Sequence, residues 1–201
     1  MVFMLQSSWR QPVGKIIEPV ALALIKARVS ANLISAIGGV GASACAIYFF
    51  PKGEFLVGAL AVTLFVLFDL FDGTVARLSP KGTSKWGAAL DSTLDRISDS
   101  AILIGGLIYV EESDNSLSKY FLIALVSSFL VSYIKARAES LGIKCDGGIA
   151  ERTERLIIIL VAYALFDLGI DWALQYGIYL LAGLSIITVI QRLVIVFLES
   201  K

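Results

Sequence analysis

The chain has 201 residues, 57% of them hydrophobic, with a mean hydropathy of +0.82. That is too apolar for a soluble domain and fits several membrane-crossing helices. Lys plus Arg and Asp plus Glu balance at 17 each. There is no histidine, which excludes His-based triads, His-ligated zinc and His-ligated haem, so any acid–base work falls to carboxylates.

Met1 to Arg10 lacks a long apolar run, so no cleavable signal peptide is expected. Residues 12–28 read as an amphipathic helix lying in the membrane interface. Pro19 suits a first turn. Lys15, Lys26 and Arg28 would face headgroups while Ile16, Val20 and Leu24 dip inward. The alternative is a buried packing helix. A first span follows at about 32–50, with Ser30 or Asn32 able to cap it. Gly38, Gly39, Gly41, Ala42 and Ser43 give it a small-residue face for close helix contact. Further spans are expected at about 55–77, 86–110, 117–141, 151–168 and 172–198, divided by turns at 51–54, 79–83, 111–116, 142–148 and 167–171. The expected fold is therefore an all-α integral membrane protein, one domain over 1–201, with six transmembrane helices and an N-terminal interfacial helix. Cys45 and Cys145 fall in an apolar span and a polar loop, so no disulfide is expected. Only Lys52 and Lys119 lie nearer one side of this arrangement, leaving fifteen of the seventeen Lys and Arg nearer the other, which is then cytoplasmic.

Charge stands where spans two and three meet. Asp69 and Asp72 are three residues apart, and Asp91 and Asp95 are four apart, so each pair shares one helix face. Ionisable groups at the ends of apolar helices mark a functional site by default. If the two helices pack antiparallel, all four carboxylates converge. Such a set suits hard divalent ions, Mg²⁺ foremost. Two ions close together would clamp a phosphoryl group in transfer. Gly73, Ala76 and Gly87 leave room for a ligand, and Arg77 offers a planar fork to a phosphate. Asp99 continues the face one turn deeper and reads as support for the site. A single Asp would read as a proton relay or a capped helix end; four at these spacings do not.

A second set is basic. Lys135, Arg137, Arg152, Arg155 and Arg192 come from three spans that reach the cytoplasmic side. They read as a pocket for the phosphate of a soluble acceptor. Snorkelling and pairing with Glu139, Glu151 and Glu154 is the plainer account.

The stretch Asp69 to Asp95 closely resembles the signature of the CDP-alcohol phosphotransferases, membrane enzymes of phospholipid synthesis. That signature is Asp-x2-Asp-Gly-x2-Ala-Arg, a spacer, then Gly-x3-Asp-x3-Asp. The spacer here, Leu78 to Trp86, is one residue longer than the common eight. The segments 132–139 and 146–155, with Leu90 to Asp99 and Gln191-Arg192, are similar to the actinobacterial phosphatidylinositol-phosphate synthases within that family. The resemblance implies transfer of a phosphatidyl group from CDP-diacylglycerol to inositol 1-phosphate, with release of CMP. It implies two Mg²⁺, with Mn²⁺ as a substitute, held by Asp69, Asp72, Asp91 and Asp95. It implies Asp95 as the base. It assigns Asn32, Leu33, Ile34 and Ser35, with Asp69, Gly73, Ala76, Arg77 and Ser84, to CDP-diacylglycerol. It assigns Ser132, with Lys135, Arg137, Arg152, Arg155 and Arg192, to the acceptor phosphate. It further implies a homodimer in the cell membrane among membrane lipids, and no nucleic-acid partner. The nearest rival is a phosphatidylglycerophosphate synthase using glycerol 3-phosphate. A divalent-metal transporter would explain the carboxylates but not Gly73, Ala76 and Arg77 beside them.

Overall fold

Runs of Leu, Ile, Val and Phe broken by Gly and charged turns are long enough to satisfy their own backbone in an apolar setting by coiling into helices. The computed structural model describes residues 18–79, 82–112 and 116–200, and all regular structure among them is helical. α1 covers residues 18–26. It is followed by α2 (Ala31–Phe49), a 3₁₀ turn (Phe50–Lys52), α3 (Phe55–Val66) and α4 (Phe68–Leu78). Then come α5 (Lys85–Glu112), α6 (Ser118–Ser140), α7 (Arg152–Asp167) and α8 (Trp172–Glu199). Residues 12–17 of the expected interfacial helix, Lys15 and Ile16 among them, lie outside the described residues.

Among the described residues, four stretches are long and apolar enough to cross a membrane: Ala31–Lys52, Phe55–Leu78, Ser118–Ser140 and Trp172–Glu199. α5 and α7 are not among them. α5 has 28 residues, but Asp91, Asp95, Arg96 and Asp99 crowd its first fifteen. α7 has 16 residues, a rise of about 24 Å against a hydrocarbon core of about 30 Å, and it opens on Arg152, Glu154 and Arg155.

The chain gathers into two compact units. The first takes the described residues up to Ser43 together with those from Val62 to Ser98. Its core is Ala21, Ile34 and Val75, with Leu24, Ile25, Phe68 and Phe71 packed around them. α1 thus turns Ala21 inward while Val20 and Leu22 stay exposed. Arg28 closes α1 in a left-handed conformation (φ 62°), its N–H bonded to Ile25 and that of Val29 to Leu24. This is a helix-ending turn that glycine usually makes. Ser30 then caps α2 through the Leu33 N–H at 3.2 Å. α2 packs by its glycines. A Cβ at Gly39 would stand 2.7 Å from the Cβ of Leu94, and one at Gly38 3.1 Å from the Phe65 carbonyl and 3.0 Å from the Phe68 Cβ. The helix expected over 55–77 is broken at Leu67, beside that Gly38 contact, into α3 and α4.

The second unit takes Ala44–Ala61 and the chain from Asp99 onward. Phe50, Phe55, Tyr109, Tyr163 and Phe166 stack edge and face within it, with ring centroids 4.5–6.1 Å apart. The buried Tyr163 hydroxyl donates to the Ile102 carbonyl at 2.9 Å. The Asp167 carboxylate accepts the Leu56 N–H at 2.7 Å and so caps α3. α6 and α7 both pack along α8.

Candidate active site

α4 carries Asp69 and Asp72 one turn apart, and α5 carries Asp91. Each offers one carboxylate oxygen, and the three oxygens lie within 4.8 Å of one another. Asp72 is buried, and the Ser35 hydroxyl on α2 donates to its Oδ2 at 2.5 Å. Oxygen donors at this separation fit a hard divalent cation, and their mutual repulsion is what a cation would offset. Asp95 is not one of these three. It sits one turn beyond Asp91, its Oδ2 3.2 Å from the Arg96 guanidinium.

The peptide at Gly73 is open. A Cβ there would meet only Arg77 Nη1, at 3.5 Å. Arg77 is itself steadied by Thr74, whose Oγ1 accepts from Nη2 at 3.0 Å. An open main chain with a guanidinium beside it is suited to a phosphate. Ala76 is half-buried on the same helix. Asn32, Leu33, Ile34 and Ser35 form the first turn of α2; Ile34 and Ser35 are buried and Leu33 is exposed. A Cβ at Gly87 would lie 2.8 Å from Asn32 Oδ1 and 3.0 Å from Ser84 Oγ, so Gly87 admits both polar groups to the start of α5. Ser84 caps α5, accepting the Gly87 N–H at 2.9 Å.

The basic residues belong to the second unit, and most meet acids or main-chain carbonyls there. Arg152 Nε bonds Asp99 Oδ1 at 3.2 Å, and Arg155 Nη2 lies 3.9 Å from Asp99 Oδ2. Arg155 Nη1 also donates to the Ala150 carbonyl at 2.9 Å. Arg192 is buried and donates to the Gly147 carbonyl (2.9 Å), the Val131 carbonyl (2.6 Å) and Glu151 Oε1 (3.4 Å). Lys135 Nζ lies 3.6 Å from Asp146. Arg137 is exposed and reaches Ser140. Ser132 is half-buried on α6. Sequence reading did not give Asp99 its place as the joint partner of Arg152 and Arg155; its four-residue step from Asp95 was the available signal. Asp146 was not foreseen as the partner of Lys135, nor Thr188 as a contact of this loop, and no local pattern marks either.

The CDP-alcohol phosphatidyltransferase family profile matches residues 28–195. The phosphatidylinositol phosphate synthase of Corynebacterium glutamicum is 40% identical, covering 92% of this chain and 85% of the relative. That of Mycobacterium tuberculosis is 42% identical over 92% of this chain and 87% of its own length. A crystal structure of the Mycobacterium tuberculosis enzyme with CDP-DAG bound superposes with a TM-score of 0.86 at 41% identity, covering 91% of this chain and 94% of that one. The same enzyme with manganese and citrate gives a TM-score of 0.85, again at 41% identity, over 90% and 88% of the two chains. A convergent aspartate set beside an open glycine and an arginine, together with likeness at this level along nearly the whole chain, leads to one conclusion: the chain belongs to the CDP-alcohol phosphatidyltransferase family.

Proposed function

We propose that the protein is a phospholipid-synthesising transferase that moves the phosphatidyl group of CDP-diacylglycerol to a hydroxyl of inositol 1-phosphate, giving phosphatidylinositol phosphate and CMP. The observation that carries this is the convergence of Asp69, Asp72 and Asp91 beside the open Gly73 peptide and Arg77. The identity to phosphatidylinositol phosphate synthases supports the choice of acceptor.

Asp69, Asp72, Asp91 and Asp95 would hold two Mg²⁺, or Mn²⁺ in their place. Bound there, the ions would neutralise the pyrophosphate and the charge that builds up during in-line transfer. Gly73 lets the pyrophosphate approach the main chain, and Arg77 forks onto it. Ala76, Asn32, Leu33, Ile34, Ser35 and Ser84 line the CDP side. Asp95 takes the proton of the acceptor hydroxyl as its oxygen bonds to the phosphatidyl phosphorus and the phosphorus–oxygen bond to CMP breaks. A positioned base of this kind contributes about 10²–10⁴-fold. Ser132, Lys135, Arg137, Arg152, Arg155 and Arg192 bind the acceptor's phosphate. Arg192 spends three of its guanidinium's five N–H groups on Gly147, Val131 and Glu151, which fixes the orientation of that cation.

The same reading makes the chain a six-span protein of the cell membrane, with α5 and α7 as the two further spans. The apolar Ala101–Val110 half of α5 and the apolar body of α7 favour that count. α1 lies in the interface, the site opens to the cytoplasm, and the protein is a homodimer. Glycerol 3-phosphate is the second acceptor to consider, because basic residues recognise the phosphate that both acceptors carry. The test is CMP release by purified protein in Mg²⁺ with inositol 1-phosphate, glycerol 3-phosphate, inositol and serine offered separately. Release with inositol 1-phosphate alone is expected. Release with glycerol 3-phosphate alone would keep the aspartate site and overturn the acceptor, and no release with any of them would overturn the activity.

A further inference from the structure

One face of α8 grips the loop that leads into α7. Thr188, Gln191 and Arg192 are three and four residues apart and so share a side of the helix. The Ala150 N–H donates to Thr188 Oγ1 at 3.0 Å, and that hydroxyl donates in turn to the Leu184 carbonyl at 2.8 Å. The Ile149 N–H donates to Gln191 Oε1 at 3.1 Å. Arg192 Nε holds the Gly147 carbonyl. The other end of Ala150 is also committed, since its carbonyl accepts from Arg155 Nη1. Thr188 and Ala150 are both fully buried, so neither bond competes with solvent. Gly148 completes the fit. Its φ of +124° suits no side chain well, and a Cβ there would stand 2.4 Å from Thr188 Cγ2.

We propose that this face of α8 is a clamp that sets the 147–150 loop and, through the Ala150 peptide, aims the Arg155 guanidinium. Thr188 and Gln191 are then positioning residues for the acceptor phosphate. They touch no reacting atom. The inference rests on the acceptor pocket proposed above, and its test separates the two.

Thr188→Val keeps the shape and removes the acceptor of the Ala150 N–H. Thr188→Ser keeps the hydroxyl. Both are made in a Cys45→Ala background, so that Cys145, buried at the base of the loop, is the only thiol. The readouts are the rate of Cys145 modification by a small maleimide and the KM for each substrate in CMP release. In Thr188→Val, Cys145 labelling and the KM for inositol 1-phosphate should each rise about tenfold, the scale of one lost buried hydrogen bond. kcat and the KM for CDP-diacylglycerol should stay within about twofold, and Thr188→Ser should restore both readouts. Unchanged labelling in Thr188→Val overturns the clamp whether or not the protein is active. Faster labelling with an unchanged acceptor KM overturns the positioning role. Failure of the proposed activity shows in the unsubstituted protein, as no CMP release with any acceptor, and leaves the labelling result to decide the clamp.

Discussion

The acidic and basic groups of this chain are held in opposite ways. Asp69, Asp72 and Asp91 bring like charges within 4.8 Å of one another. Lys135, Arg152, Arg155 and Arg192 each face a carboxylate, and the two buried arginines bond main-chain carbonyls as well. Like charges at that spacing favour a bound cation. The arginine set is balanced from within. A change in the first should therefore remove chemistry, and a change in the second should disturb binding and local order together.

The largest expected effect tests the aspartate side. Asp72→Asn, or removal of divalent ions by a chelator, should lower CMP release about 10³-fold or more, since several kcal/mol of charge stabilisation are lost at about 1.4 kcal/mol per tenfold. Restoring Mg²⁺ should rescue only the chelated protein. Appreciable turnover in metal-free buffer would show that the aspartates act without a metal. Next is Asp95→Asn, which should cost about 10²–10⁴-fold in kcat with the melting temperature unchanged. Near-normal turnover would remove Asp95 as the base.

Smaller effects are expected on the basic side. Arg155→Gln should raise the KM for inositol 1-phosphate about 10- to 100-fold, as loss of a charged hydrogen bond of about 1.5–3 kcal/mol implies, with little change for CDP-diacylglycerol. Equal losses for both substrates would sink the acceptor assignment. Arg192→Gln should add a lowered melting temperature, because that side chain ties Gly147, Val131 and Glu151 together. The smallest effect is expected at Ser35. Ser35→Ala removes the hydroxyl that orients Asp72, and the Mg²⁺ concentration for half-maximal CMP release should rise by up to about tenfold. No change in metal dependence would mean that Ser35 only packs α2 against α4.

Local periodicity decided much on its own. Three- and four-residue spacings put Asp69 with Asp72, and Asp91 with Asp95, on helix faces before any fold was known. Apolar runs broken by Gly and charge pointed to a helical membrane protein, because continuous apolar stretches of that length satisfy their backbone within a helix. With no histidine and only two cysteines far apart in the sequence, the grouped aspartates were the ligand set the sequence offered a metal. What the sequence left open were distances between helices. Asp91 joins Asp69 and Asp72, while Asp95, one turn on, lies against Arg96, and spacing along α5 alone does not tell the two apart. The break at Leu67 has no Pro or Gly to announce it. The pairing of Asp99 with Arg152 and Arg155 joins residues more than fifty positions apart, and Thr188 reaches Ala150 across 38. Spacing along one helix follows from its fixed pitch. Partners on different helices follow from how side chains pack, and only the folded chain decides that.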